Sequence, residues 1–278
     1  MPKLIDTHSH INFNAFKDDA DEVIKRALEK DIHLFAVGSQ IDTSKRAVEY
    51  AEKYDEIWAI IGLHPMHLVS RRIDEQEVHF TTREEVFNYD EYKKLAVHKK
   101  TIGIGECGLD YYRLDDIEGD NEEMKQKQKI AFRKQIELST EVSKPLVIHC
   151  RDAYEDVLEV IKDYIAEKKV TPKAVMHCYI GNKEMAEEFV KLGFYISFSG
   201  IITFKNAKEL KEVVKSVPIE KIVVETDCPY LSPEPMRGKR NEPSFVEYTA
   251  KQVAKLKWIT EEEVFETTTK NTKTLFNI

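Results

Sequence analysis

The sequence predicts an α/β chain folded as a (β/α)₈ barrel. Three observations carry that reading. Eight short Val- and Ile-rich runs recur along the 278 residues, amphipathic stretches separate them, and no linker rich in Gly, Pro or Ser breaks the alternation. Short, nearly continuous apolar runs suit strands buried on both faces. Helices between successive strands make them parallel, and eight such units close into a barrel. The length suits one barrel, so a single domain is expected over 1–278.

The expected strands are LIDTH at 4–8, LFAVG at 34–38, WAIIG at 58–62, TIGIGE at 101–106, LVIHC at 146–150, AVMHC at 174–178, YISFSG at 195–200 and IVVETD at 222–227. Apolar residues three and four apart mark helices over 18–30, 43–54, 122–142, 153–168, 182–192 and 206–216. Asn182 and Asn206 are placed to cap two of them. The charged stretch 70–98 reads as a loop before a helix near 83–97. The tail, 243–276, reads as two helices, the second capped by Thr260 with Glu263 three residues on.

Composition narrows the function. Hydrophobic residues make up 42% and charged residues 33%, a soluble globular balance with enough apolar material for a core. The opening segment is too short and polar for a secretion leader, and no run approaches a membrane span. A cytoplasmic location is expected. The formal net charge of -8 argues against general electrostatic adhesion to nucleic acid. It leaves a nucleic-acid substrate open, because bound cations supply positive charge locally. The four cysteines, Cys107, Cys150, Cys178 and Cys228, show no C-x-x-C spacing, so neither a zinc knuckle nor a redox pair is indicated.

The strongest signal is positional. His8 and His10 stand at the end of the first strand, Glu106 of the fourth, His149 of the fifth, His177 of the sixth and Asp227 of the eighth. The carboxyl ends of barrel strands form one face, so these six converge in space. Alternation points His8 and His10 the same way. Imidazole with carboxylate suits Zn²⁺ or Mn²⁺, and phosphate chemistry admits Mg²⁺. Two divalent ions are expected, one on His8, His10, Glu106 and Asp227, the other on Glu106, His149 and His177, with Glu106 bridging. A lone His or Glu at a strand end is usually a hydrogen-bonded structural residue; six on one face are not explained that way. Each cysteine follows a ligand or bridge candidate directly, so alternation turns all four towards the helices as buried thiols.

IDTHSHI, GLHP, GIGECGLDYY, PLVIHCRDA, MHCYIG, ETDCPYL and RGKRNEPSF, taken in order, resemble the signatures of the TatD-like metal-dependent deoxyribonucleases of the amidohydrolase superfamily. The match runs from Asp6 to about Phe245. It implies a TIM barrel, a binuclear site on the six residues above, and phosphodiester hydrolysis, often 3′→5′ exonuclease action on single-stranded DNA or RNA ends. HCYIG departs from the commoner HCFSG but keeps a ring at Tyr179. The stretch 70–92 is longer than the family pattern leads one to expect and stands where it could alter substrate choice.

Further roles follow from position. Asp227 is assigned as both ligand and general base, and His64, ending the third strand, as a catalytic hydrogen-bonding group. Arg151, two residues past His149, and Arg240, in a basic loop with Arg237 and Lys239, are candidate phosphate contacts. Tyr111 and Tyr112 are candidates for base stacking. Asp6 and Glu225, two residues before ligands, are expected to orient imidazoles. The rival enzyme is an amidohydrolase of amides, lactones or amines. Such relatives often bridge their metals with a carboxylated lysine on the fourth strand, and TIGIGE has none. A non-catalytic metal-binding scaffold is the remaining alternative. No membrane and no obligate protein partner are indicated.

Overall fold

Eight parallel strands form one sheet in the order β1-β2-β3-β6-β7-β8-β9-β10, and a separate antiparallel pair is β4-β5. The strands are β1 (Leu4–Ser9), β2 (Ile32–Val37), β3 (Ile57–Ile61), β4 (Arg72–Glu75), β5 (Val78–Thr81), β6 (Thr101–Asp110), β7 (Leu146–Arg151), β8 (Ala174–Met176), β9 (Tyr195–Phe198) and β10 (Ile222–Val224). The computed structural model describes residues 1–68, 72–75, 78–81, 84–112, 114 and 120–278. The sheet closes on itself just past β10. Ser9 bridges Cys228 in parallel, the Asp227 N–H donates to the His8 carbonyl at 2.9 Å, and the His10 N–H donates to the Cys228 carbonyl at 2.9 Å.

The helices are α1 (Ala20–Leu28), α2 (Ile41–Lys53), α3 (Tyr89–Ala96), α4 (Asn121–Glu141), α5 (Tyr154–Lys168), α6 (Lys183–Lys191), α7 (Lys208–Ser216), α8 (Val246–Lys257) and α9 (Glu261–Phe276). The Asn182 side chain accepts from the Met185 N–H at 2.8 Å, and Thr260 accepts from the Glu263 N–H at 3.1 Å. Asn206 does not cap: α7 begins two residues later, after Ala207. No helix among the described residues is long and apolar enough to cross a membrane.

Two apolar layers result. Outward strand residues such as Leu34, Ala36 and Ile148 pack against helix residues such as Val23, Ala47 and Phe132. Inside the barrel, Ile5, Phe35, Val37, Ile60, Ile102, Val147, Val175 and Val223 meet Leu275 and Phe276 from α9. The interior is therefore filled and plugged at one end, and ionisable side chains occupy the other.

The seam between β10 and β1 has little ladder, and side chains reinforce it. Arg26 on α1 donates through Nε and Nη2 to the Glu242 carboxylate, the shortest contact being 2.7 Å. Arg240 forms a forked pair with Asp19 and donates to the Ala15 carbonyl at 2.6 Å. Asn241, fully buried, donates to the Thr226 and Tyr230 carbonyls at 2.9 and 2.6 Å.

β6 runs four residues past Glu106, and its pairing with β7 shifts register between Ile104 and Cys107. Gly108 makes that continuation possible. Its φ is +142°, and a Cβ there would lie 2.0 Å from the His149 carbonyl oxygen. Gly108→Ala combines overpacking with backbone strain, so it should destabilise the metal-free protein by about 2–6 kcal/mol. An unchanged urea midpoint would contradict this account.

The stretch expected as loop contains β4 and β5, each only four residues long and set among charged residues, too short to stand out as strands. The expectation that 70–92 alters substrate choice falls in part on residues outside the described ones. Cys107, Cys150 and Cys228 lie in the sheet–helix layer as expected. Cys178 does not. It is half-buried with φ +42°, which breaks the alternation, and its Sγ lies 3.2 Å from Ser199 Oγ.

Candidate metal centre

Glu106 is the pivot of the site. Its carboxylate, 4% exposed, sits among five imidazoles. Oε2 lies 3.4 Å from His8 Nε2 and 3.6 Å from His10 Nε2. Oε1 lies 3.0 Å from His149 Nδ1, 3.2 Å from His177 Nε2 and 3.3 Å from His64 Nε2. Burial opposes its charge, but His64, His177 and His149 outweigh that and hold the carboxyl well below the usual range.

Asp227 completes the Oε2 side. Its Oδ1 lies 3.4 Å from His10 Nε2 and 3.9 Å from His8 Nε2. Its φ is +59°, a left-handed conformation that Asp tolerates better than most residues. The structure thus brings together His8, His10 and Asp227, and separately Glu106, His149 and His177, each group with donor atoms within 4.8 Å of one another.

These residues fit metal ions. The His8 ring is buried, and neither nitrogen has a hydrogen-bond partner. A packed interior rarely leaves a polar atom in that state without a reason. Burial, then the neighbouring His177, pushes its pKa down to about 3, so the ring is neutral with a lone pair to give. The two rings stack with centroids 3.6 Å apart, which is tolerable only if one is uncharged. His10 Nδ1 is 3.0 Å from the Val37 carbonyl, which places its proton there and turns the Nε2 lone pair to the site. His177 Nδ1 lies 2.9 Å from Glu225 Oε1 as an ion pair. Glu225 therefore stands where an imidazole-orienting carboxylate belongs.

His149 lies between two carboxylates, with Nδ1 towards Glu106 and Nε2 at 3.0 Å from Asp110 Oδ2. Burial disfavours its charge, yet Asp110 and Glu106 prevail and raise its pKa to about 9. At pH 7 the metal-free protein holds that proton, and an ion must displace it. Calorimetric titration at pH 7 in buffers of different ionisation enthalpy should register proton release, with apparent affinity rising towards pH 9. Buffer-independent heats would contradict the assignment. The metal-free fold draws stability from this arrangement fully below about 6.5 and loses it as pH climbs through about 9.

Asp110 is the site residue that sequence reasoning missed. Glu106, Gly108 and Asp110 alternate along β6, so the signal was present once the strand is allowed past 106. Asp110 groups with His64 and His149 within the same 4.8 Å limit. His64 Nδ1 accepts from the Met66 N–H at 3.0 Å, so in the neutral ring the proton sits on Nε2, facing Glu106. Burial, then His149, lowers its pKa and keeps it neutral.

Other expected residues fall differently. The Arg151 guanidinium stacks on the Tyr112 ring, 3.5 Å from its centroid. Tyr111 donates to Asp156 at 2.7 Å and packs against the outer core. Arg240 is paired with Asp19 at the seam. Asp6 reaches no imidazole: it accepts from Thr226 N–H and Oγ1 at 2.8 and 2.6 Å and from the His8 N–H at 3.3 Å. It thereby ties the start of the metal face to the seam.

Comparison with known proteins follows the same lines. The family model described as TatD related DNase matches residues 5–277. The chain is 44% identical over 276 residues to the uncharacterized metal-dependent hydrolase YabD of Bacillus subtilis, covering 99% of each. It is 30% identical over 283 residues to the 3′-5′ ssDNA/RNA exonuclease TatD of Shigella flexneri, again covering 99% of each. Among solved structures, YJJV, a TatD homologue from Escherichia coli K12, superposes with a TM-score of 0.83 at 24% identity, covering 99% of this chain and 98% of that one.

Proposed function

Because this chain belongs to the family of TatD-related DNases, we propose that it is a hydrolase loaded with two divalent ions that removes nucleotides from the 3′ ends of single-stranded DNA or RNA. The observation that carries the reading is the Glu106 carboxylate, with one oxygen turned to each donor group. His8, His10, Glu106 and Asp227 would hold one ion, and Glu106, His149 and His177 the other. Bound there, such ions supply positive charge to a phosphate and lower the pKa of water. The likeness to the 3′-5′ ssDNA/RNA exonuclease of Shigella flexneri supports the choice of substrate.

The chain's own groups divide the remaining work. Side-chain exposure is 14% for Asp227 and 16% for His149, against 0–6% for His8, His10, His64, Glu106 and His177. Asp227 is thus the carboxylate open to an attacking water and takes its proton. His64 is the catalytic hydrogen-bonding imidazole, its Nε2 turned to Glu106 Oε1 at 3.3 Å until substrate enters. Tyr112 fixes the plane of the Arg151 guanidinium, two residues past His149, for a phosphate. Removing that contact affects binding first: Arg151→Ala should raise KM for an oligonucleotide about 10- to 150-fold, as a lost charge-assisted bond of about 1.5–3 kcal/mol requires. An unaltered KM removes Arg151 from the site.

The deciding experiment is timed digestion of end-labelled single-stranded DNA and RNA across Zn²⁺, Mn²⁺ and Mg²⁺. Stepwise shortening from the 3′ end that stops with chelator is expected. Turnover of lactones or dihydropyrimidines with intact oligonucleotides would reject the reading. Four free thiols support a reducing, cytoplasmic setting.

A further inference from the structure

Ser197 lies on β9, wholly buried. Its register partner on β10 is Val223, which points into the apolar interior of the barrel. Ser197 therefore places a hydroxyl where its neighbour places two methyl groups. A hydroxyl so buried needs a partner. Ser197 Oγ has a specific one, donating to Glu225 Oε2 at 2.5 Å. Thr7 Oγ1 lies 3.4 Å away on the other side and gives its own proton to the Val224 carbonyl at 3.1 Å. The Ser197 proton is thus directed to the carboxylate.

The other oxygen of Glu225 faces the metal site. Oε1 accepts the Cys178 N–H at 2.7 Å and lies 2.9 Å from His177 Nδ1. One carboxylate is fixed at both ends, by β9 on one oxygen and by the segment after β8 on the other. Without the hydroxyl, Oε2 is buried with no donor, and the carboxylate has reason to turn. Turning moves it away from His177 Nδ1, and that contact sets the ring with Nε2 aimed at Glu106 Oε1, 3.2 Å away.

We propose that Ser197 is a positioning residue for the ion on Glu106, His149 and His177, acting through the Glu225 carboxylate. This rests on the two-ion reading above. The relay from hydroxyl to carboxylate to imidazole ends on His177, a proposed ligand of that ion and not of the one on His8, His10 and Asp227, so the second ion should feel it far less.

The test is metal titration of the metal-free protein by calorimetry, with Co²⁺ absorption as a second readout, for the unsubstituted chain, Ser197→Ala, Ser197→Thr and Thr7→Val. Ser197→Ala should weaken one of two binding steps about 10–100-fold, as loss of an outer partner does. It should leave the other step in place and alter the Co²⁺ spectrum of the weakened site. Ser197→Thr, which keeps the hydroxyl, should restore the step. Thr7→Val removes the neighbouring hydroxyl but neither of the two donors to the Glu225 carboxylate nor its ion pair with His177, so it should change neither step. Two unchanged steps in Ser197→Ala overturn the proposal. Equal weakening of both steps in Ser197→Ala and Thr7→Val also overturns it, since that is a general loss of packing. Should Ser197→Ala fail to fold, Ser197→Cys, with similar volume and a weaker donor, must show the same one-sided weakening in lesser degree; unchanged binding overturns the proposal as well. A single ion bound by the unsubstituted chain would refute the two-ion reading, and this inference with it.

Discussion

Glu106→Gln should leave both halves of the metal site empty and lower turnover on the order of 10³-fold or more, since the ions contribute several kcal/mol and about 1.4 kcal/mol is a factor of ten. The amide is nearly the same size, so packing is kept. What changes is charge and donor pattern. A carboxylate presents acceptor oxygens to both sides, with His8 and His10 near Oε2 and His149, His177 and His64 near Oε1. An amide presents one oxygen and one NH₂. Whichever way it turns, a donor faces one of the two groups, and the negative charge that both would share is gone. Metal content by elemental analysis should fall with turnover on a labelled oligonucleotide. Full metal content with turnover within about tenfold of the unsubstituted enzyme would refute the bridging role.

Asp227→Asn separates two roles that one residue holds. Asparagine keeps an oxygen near His10 Nε2, where Asp227 Oδ1 lies at 3.4 Å, so much of the ligation survives. It cannot take a proton. Loss of a general base costs about 10²–10⁴-fold, and that loss should appear in kcat while metal content stays near that of the parent. The side-chain exposure of 14% matters here, because a base must meet the water it deprotonates. Unchanged turnover would refute the base assignment. Metal loss in proportion to turnover would reduce Asp227 to a ligand.

Much of the barrel was legible because its strands announce themselves as Val- and Ile-rich runs buried on both sides. Glu106, His149, His177 and Asp227 were legible because each closes or follows such a run. The failures have physical causes. Asp110 lay beyond the assumed end of β6, where a register shift and Gly108 carry the strand onward. Cys178 escaped because a positive φ undoes alternation at one residue, which no pattern of apolar spacing records. The place of Arg240 and Tyr111 in sequence singled them out but said nothing of their partners within the chain. Their partners, Asp19 and Asp156, come from elements distant along the chain. Asp6 shares the spacing of Glu225 before a ligand, but Thr226 captures its carboxylate first. Ser197 carried no sequence signal, since one serine in a buried strand is unremarkable until its neighbour is seen to be Glu225.

His8, buried with neither ring nitrogen hydrogen-bonded, bears on what the relaxed state of this molecule is. A Leu or Met in its place would relieve that burden and should suit the empty barrel better, so the histidine is retained at the expense of robustness. The loaded form is then the one the polypeptide is built around. At a free ion concentration one hundred times Kd, occupancy adds about 2.7 kcal/mol per site against unfolding. A chelating buffer would act on this protein as a mild denaturant.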